Sequence, residues 1–391
     1  MKRRAYDPVV EETEERPMGH RLRIALVVAW SAATVSAHAG TLGLPAVPVP
    51  ADNAQTAEKV ALGDKLFHDT RFSSTGEVSC ATCHAREKGF TDGPLVTSEG
   101  INKLRGTRNA PTVANAAFNQ TQFWDGRSPS LEDQSQHPFV NPVEMGLPNH
   151  DPIVAIVRTD PEYAGLVKAA FGIDAVSATM DHVKKAIGAF ERTLIFGDSA
   201  FDRFYFGGDK AALSEAAQRG FSVFLNEGRC VSCHTIEQDH AIFTDHRFHN
   251  VGVGMMRIQD DVPRFVGAFL EAKRQGLDVD VAVLSNPKSS ELGRFAVDEQ
   301  FDGLGAFKTP TLRNIAATAP YFHDGSVTTL REVVVHYNNG GVTKADDPVN
   351  DFLSGGIRPL NLTDAQIDDL VAFMESLTSP DFQAVASGQA N

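Results

Sequence analysis

All four cysteines of this chain lie in two copies of one short motif. Cys80-Ala-Thr-Cys83-His84 and Cys230-Val-Ser-Cys233-His234 share the pattern C-x-x-C-H, which leaves no other cysteine in the 391 residues. This pattern is the attachment signature of c-type haem, in which the thiols form thioethers and the adjacent histidine, here His84 or His234, supplies an axial ligand to iron. Two disulfides, or a zinc site with Cys and His ligands, are the alternatives. The histidine after each second cysteine favours haem, so we expect two covalently bound haem c groups.

The first 39 residues have the features of an export signal. Arg21 and Arg23 precede an apolar run, residues 24–35, which ends in Ala37-His38-Ala39. A basic start, a short apolar stretch and an A-x-A site are typical of a signal peptide rather than a membrane span. We therefore expect residues 1–39 to be a signal peptide and the protein to be periplasmic. An uncleaved N-terminal anchor is the alternative, and Met18 is a second candidate for the initiating residue.

The remaining chain is acidic and long enough for two domains. Residues 40–391 hold 30 basic and 45 acidic side chains, a net charge of −15, which disfavours a nucleic-acid partner and suits a basic redox partner. No second apolar run approaches spanning length, so we expect no membrane span in the mature chain. The length fits two domains of ordinary size.

Each half of the chain repeats one plan. Helical spacing over residues 54–67 precedes the first haem motif, and an amphipathic pattern over 180–196 closes that half. Helices over 214–226 and 363–377, with Ser214 and Thr363 as N-caps, flank the second motif in the same way. Residues 330–337 and 266–274 also have helical spacing, and no strand pattern of any length is found. We predict a mostly α fold with long irregular loops and two cytochrome c-like domains, 40–200 and 201–391, each binding one haem.

Further motifs lie in the loops. The first half contains Phe123-Trp124-Asp125-Gly126-Arg127 and Asn141-Pro-Val-Glu144-Met145, and the second contains Thr318-Ala-Pro320-Tyr-Phe-His-Asp-Gly325. With the two haem motifs, these residues resemble the bacterial di-haem cytochrome c peroxidase family, including its relative MauG, which oxidises tryptophan residues of a partner protein. The resemblance runs from about residue 57 to 377. It implies hydrogen peroxide as a substrate.

The resemblance also implies roles for two residues of the first half. Glu144 corresponds to the glutamate that moves a proton between the peroxide oxygens, and such a role needs a carboxyl whose pKa is near the working pH. Trp124 corresponds to a tryptophan between the haems, where an indole can carry an electron. A structural carboxylate and a packed core aromatic are the alternatives for these two residues.

A calcium site between the domains is implied as well. Asn109, in Gly106-Thr-Arg-Asn109-Ala-Pro111, matches the family's side-chain ligand, and the main-chain carbonyls of Thr318 and Pro320 match the others. Calcium takes hard oxygen donors of this kind.

Two positions depart from the ordinary peroxidases of the family. Many of them rest with a histidine on the open face of the first haem, but here Ile101 occupies that position. No histidine occurs between His84 and His137, and Lys103 is the nearest other candidate ligand. We therefore expect this haem to be open to peroxide in the diferric state. The position of the usual methionine ligand of the second haem holds Tyr337, as in MauG. A phenolate ligand favours the higher oxidation states of iron, whereas a thioether raises the potential.

Three alternatives to Tyr337 as the iron ligand stay open, namely His336, Met255 and Met256. We favour a dihaem peroxidase-type oxidoreductase that reacts with hydrogen peroxide at the first haem and oxidises a partner protein or a redox donor through the second. A detoxifying peroxidase fed by a small cytochrome or cupredoxin is one alternative, and a non-catalytic electron-transfer protein is another. Residues 257–304 carry no recognisable chemistry, although a surface insertion can shape partner docking.

Overall fold

The computed structural model describes residues 41–342 and 351–389, which belong to one compact unit, Gly40–Asn391. The predicted signal peptide, residues 1–39, lies outside the described residues. The division at residue 200 stays a prediction. Within the described ranges no helix is long and apolar enough to cross a membrane.

The fold is mostly helical, as predicted, with long irregular connections. The α-helices up to residue 191 are α1 Ala57–His68, α2 Cys80–Cys83, α3 Leu131–Gln134, α4 His137–Val140, α5 Asp151–Thr159, α6 Pro161–Phe171 and α7 Met180–Glu191. Those that follow are α8 Ala200–Tyr205, α9 Glu215–Leu225, α10 Val262–Arg274, α11 Val279–Ser285, α12 Pro287–Ser290, α13 Phe295–Asp298, α14 Leu330–Asn338, α15 Asp364–Glu375 and α16 Pro380–Ala386. Strands β1 Phe248–His249 and β2 Phe307–Lys308 pair antiparallel, with Phe248 opposite Lys308.

Short 3₁₀ helices occupy several of the connections. They are Thr70–Phe72, Arg86–Lys88, Ile101–Lys103, Ala116–Phe118, Ala175–Ser177, Cys230–Ser232, Met255–Arg257, Gln259–Asp261, Phe301–Gly303 and Ile315–Ala317.

The first half is built on the packing of α1 against α7. Gly63 of α1 lies so close to α7 that an added Cβ would meet the Ala186 carbonyl at 1.9 Å. The predicted helix over 180–196 stops at residue 191 because the next residues bond elsewhere. The Asn115 side chain accepts from the Phe196 amide at 2.8 Å and donates to the Phe196 carbonyl at 2.9 Å. These bonds hold residue 196 against the loop of Asn115, and α7 ends before it.

The second half repeats this arrangement with α9 and α15. A Cβ on Gly220 of α9 would meet the Asp369 carbonyl of α15 at 1.8 Å. Both predicted N-caps are confirmed: the Ser214 side chain accepts from the Ala217 amide, and Thr363 forms a capping box with Gln366. Reciprocal bonds of this kind satisfy the amides that a helix start leaves without partners.

Residues 257–304 form a third packed cluster rather than a loose insertion. Helices α10 to α13 enclose a core of their own, which includes Val266, Phe269, Leu292 and Phe295. The predicted helical spacing over 266–274 is part of α10. This cluster borders the site described below.

The region around residue 200 is also well packed. Phe201 of α8 is fully buried, and Asp202 forms a buried ion pair with Arg313, with an Nη1–Oδ2 distance of 2.8 Å. Further on, Phe382 of α16 packs against Phe90 and Phe196 of the first half. The last helix of the chain thus completes a core that begins in the first half.

Candidate functional site

The first C-x-x-C-H motif is a short helix that presents its histidine with a defined orientation. Ser79 begins α2, and a capping box with Thr82 stabilises this start. The His84 Nδ1 atom lies 3.2 Å from the Phe90 carbonyl oxygen. Since a carbonyl oxygen only accepts, Nδ1 carries the proton, and Nε2 keeps its lone pair for a metal.

The second motif has the same arrangement in a 3₁₀ turn. The His234 Nδ1 atom donates to the Phe243 carbonyl at 2.9 Å, so Nε2 is again the atom available to iron. All four cysteines are free thiols. Two thiols beside a histidine oriented in this way fit a covalent haem in each half.

Two neighbouring cavities contain these motifs. The larger one has a volume of about 740 Å³ and is lined by Cys230, Cys233, His234 and Tyr337. This volume lies within the roughly 300–1,000 Å³ typical of cofactor pockets. The smaller cavity, of about 130 Å³, is lined by Cys83, His84 and Glu144 among others. Each predicted iron ligand therefore lines the same cavity as at least one thiol of its motif, although Cys80 does not line the smaller cavity.

Glu144 faces the smaller cavity with an unsatisfied carboxyl group. Its Oε2 atom is buried and has no hydrogen-bond partner among the described residues. Its main chain is fixed, because the Glu144 amide donates to the Asn141 carbonyl and its carbonyl accepts from the Ile101 amide at 2.8 Å. Burial, reinforced by Asp280 and opposed by Arg127, raises the pKa of Glu144 to about 8. A carboxyl with this pKa can both accept and donate a proton near neutral pH.

An ion-pair network behind Glu144 was not predicted from the sequence. Asp125 is fully buried between Arg108, at 2.6 Å, and Arg127, at 3.0 Å. Burial alone would raise the pKa of Asp125, but the two guanidinium groups outweigh this effect and lower it to about 2. Arg127 also donates to Asp280 of α11 at 2.8 Å, and Asp280 accepts from the Asn141 side chain at 2.9 Å. The segment 257–304 thus fixes the loop that carries Glu144.

Trp124 lies in the wall that the two cavities share. Its indole Nε1–H donates to the Asn109 carbonyl at 2.9 Å, and its own carbonyl accepts from the Lys308 amide at 2.7 Å. The ring is partly buried and lines both cavities. This position is compatible with the predicted relay role.

The three predicted calcium ligands lie along the larger cavity. Asn109, Thr318 and Pro320 all line it. The Asn109 amide nitrogen is directed at the Leu95 and Val96 carbonyls, at 3.4 and 3.3 Å, so Oδ1 is the side-chain atom that would bind a cation. An amide oxygen and two carbonyls are donors of the type that calcium prefers.

Tyr337 of α14 lines the larger cavity together with His234. The alternative ligands lie elsewhere. The His336 ring is buried, with Nε2 at 2.7 Å from the Val251 carbonyl oxygen. Met255 packs into the core that residues 257–304 form, and Met256 is 54% exposed. None of these three lines either cavity. Burial raises the pKa of the Tyr337 phenol, so a free phenol at this place would stay protonated without a positive partner such as iron.

The stretch around Ile101 leaves the smaller cavity without a second histidine. Ile101 is buried in the core of the first half, and Lys103 is exposed and lines neither cavity. Gln134 and Pro138 line this cavity beside Glu144.

Two more groups escaped the sequence analysis. Glu191, at the end of α7, lines the smaller cavity with a buried, unpartnered Oε2, and burial raises its pKa to about 8. His249 lines the larger cavity and pairs with Asp245 at 2.7 Å, close to the Cys233 thiol. Neither belongs to a motif with a known spacing, so no sequence signal pointed to them.

Comparisons with known proteins identify relatives of this chain. A sequence profile described as Di-haem cytochrome c peroxidase matches residues 57–211, and one described as RoxA-like, cytochrome c-like matches residues 306–338. Cytochrome-c peroxidase IdrP1 of Denitromonas iodatirespirans is 35% identical over 92% of this chain and 94% of its own length. Methylamine utilization protein MauG of Methylorubrum extorquens is 35% identical over 85% of this chain and 81% of its own.

A solved structure is similar over most of its length. It is that of a MauG-like protein associated with microbial copper homeostasis, with a TM-score of 0.70, 33% identity and coverage of 87% of this chain and 95% of that one. The predicted class of fold, mostly α with cytochrome c-like domains, is thereby confirmed.

Proposed function

The chain belongs to the di-haem cytochrome c peroxidase family, and on this premise we propose that it is a MauG-like member, which uses hydrogen peroxide to oxidise a partner protein or redox donor. That it is an oxidoreductase with two c-type haems follows from the family. The MauG-like role is the finer step, because the relatives include both named peroxidases and MauG. The observation that supports it is Tyr337, which faces the same cavity as His234 while the alternative ligands do not.

Each predicted site residue has a distinct role in this proposal. His84 and His234 would hold the two irons through Nε2, and each haem, when bound, supplies an iron that exchanges electrons with peroxide or a donor. Reducing hydrogen peroxide to two waters takes two electrons and two protons. Glu144 would accept a proton from one oxygen of hydrogen peroxide and return it to the other. Trp124, in the shared wall, would pass electrons between the two sites.

The MauG-like function and the detoxifying peroxidase function call for opposite reduction potentials of the second haem, and the ligand at position 337 affects this potential. A phenolate from Tyr337 would lower the potential of the second haem and favour oxidised iron, whereas methionine would raise it. A detoxifying peroxidase draws electrons from a small cytochrome or cupredoxin and needs an accepting second haem. Named cytochrome c peroxidases are among the relatives of this chain, and the reduction potential of the second haem distinguishes the two functions.

The test is stopped-flow absorbance of the diferric holoprotein mixed with one equivalent of hydrogen peroxide, without reductant. We expect a rapid and long-lived spectral change in the wild type and little turnover of reduced cytochrome c. Tyr337→Met should shorten the life of the oxidised state and accelerate cytochrome turnover, while Tyr205→Phe, on an exposed ring, should match the wild type. A protein that is inert until reduced by one electron would contradict the open first haem, and fast cytochrome turnover by the wild type would favour the detoxifying peroxidase.

We further propose a calcium ion at Asn109, Thr318 and Pro320 and a periplasmic location. Metal analysis of the purified holoprotein should find one calcium per chain, and Asn109→Ala should lose it. Removal by a chelator should lower the melting temperature of the wild type. Absence of calcium from the freshly purified protein would refute the site. N-terminal sequencing of the exported protein should begin at Gly40.

A further inference from the structure

One cation lies in the wall between the two cavities. Eight residues line both of them, and Lys308 is the only one of these with an ionisable side chain. The Lys308 Nζ atom is 3.4 Å from the Asn119 side-chain oxygen, and Asn119 lines both cavities as well. The ammonium group is therefore placed where both sites can reach it.

No carboxylate balances this charge in the part of the chain that the structure describes. Lys308 forms no ion pair there, and its charge acts on His246, itself a potential cation. Burial, unopposed by any acidic group, lowers the pKa of Lys308 to about 8. A partly buried ammonium without an anion is unfavourable, so the site as folded lacks its counter-charge.

The two arginines that line the smaller cavity are already paired with carboxylates. Arg108 and Arg127 share Asp125, and Arg127 also pairs with Asp280. They form a closed network of two positive and two negative charges. Lys308 stands outside it, on the side of the wall that carries Trp124, whose carbonyl accepts from the Lys308 amide.

We propose that Lys308 is the shared anchor for the carboxylate side chains of the two haems, binding one propionate from each cavity beside Trp124. The chemistry is that of an ammonium with three donors, which can bind two carboxylates at once. The consequence is electrostatic. A positive charge near both irons favours the reduced state of each, and therefore raises both reduction potentials.

The test is a redox titration of each haem in the holoprotein, followed by absorbance. Lys308→Gln, which removes the charge but keeps a hydrogen-bond donor, should shift the reduction equilibrium of both haems toward the oxidised state by about tenfold, or 59 mV for one electron. Lys210→Gln, at an exposed lysine, is the matched control and should leave both potentials unchanged. Unchanged potentials in Lys308→Gln, or a shift of only one haem, would overturn the proposal.

A second variant covers the case in which Lys308→Gln fails to mature with two haems. Lys308→Arg retains the charge and the donors, so it should bind two haems and keep both potentials near the wild-type values. A fall of both potentials in Lys308→Arg would refute the charge as the cause. The inference rests on the two haems and not on the partner substrate, so a failure here is distinct from a failure of the peroxide and Tyr337 experiments.

Discussion

Replacement of Glu144 by glutamine tests the proton-transfer step most directly. The rise in its pKa from 4.5 to about 8 corresponds to roughly 5 kcal/mol in favour of the neutral carboxyl. Only the ionised form can accept a proton from peroxide. The second-order rate constant of the wild type with hydrogen peroxide should therefore rise with pH and level off above about 8. Glu144→Gln should lower the plateau by about 10²–10⁴-fold and abolish the inflection.

Stability should respond to the same group with a defined sign. Because the folded protein binds this proton more tightly than the unfolded chain, Glu144 stabilises the fold below pH 4.5, and this contribution is lost as the pH rises toward 8. The free energy of unfolding, measured by urea titration, should therefore fall less between pH 5 and pH 9 in Glu144→Gln than in the wild type. The difference between the two proteins should be at most about 5 kcal/mol.

Glu191→Gln is the matched control. Its pKa is also raised to about 8 by burial, so it should change the pH dependence of stability in the same direction. Glu191 lies at the end of α7, where Arg192 and Glu132 are the charges that act on it, whereas Asp280 and Arg127 act on Glu144. The rate profile should therefore keep its inflection. A Glu144→Gln protein that retains the wild-type rate and profile would refute the assignment. If Glu191→Gln alone removes the inflection, Glu191 is the acid–base group.

Three further substitutions test the surroundings of the site and the fold. Asp280→Asn removes a charge that raises the pKa of Glu144, so stopped-flow rates should show the alkaline inflection at a lower pH. Gly220→Ala drives a methyl group into a backbone carbonyl of α15 and should cost about 1–3 kcal/mol in urea denaturation, whereas Gly267→Ala, in open space on α10, should be neutral or stabilising. Asp202→Asn leaves its buried arginine partner uncompensated and should destabilise the fold by about 3–5 kcal/mol by the same assay.

The predictable parts of this fold are those that depend on local patterns. Apolar spacing and cap residues located α9 and α15, because a helix buries one stripe and needs partners for its first amides. The C-x-x-C-H motifs located both histidines that face the cavities. The end of α7 was wrong by five residues, because it depends on Asn115, a residue about 80 positions away whose bonds no local pattern reveals.

The charged surroundings of the site were not predictable for the same reason. Asp125 lies in a motif that drew attention only for its tryptophan, and its partner Arg108 comes from a separate loop. Asp280, which pairs with Arg127, comes from α11. Residues 257–304 carried no motif, yet they supply Asp280 to the loop of Glu144. A carboxylate such as Asp280, which acts by holding another loop in place, belongs to no motif that the sequence alone reveals.

The charge arrangement around the smaller cavity explains why a neutral substrate fits it. The two guanidinium groups of the network are matched by Asp125 and Asp280, so they add no net charge to the wall. Glu144 and Glu191, both with pKa values near 8, are largely neutral at pH 7. Hydrogen peroxide is uncharged and needs no counter-ion in this cavity, and it finds a carboxyl that can release and regain a proton near neutral pH. Lys308 lines both cavities, and under the proposal above its charge acts on the reduction potentials of the two haems.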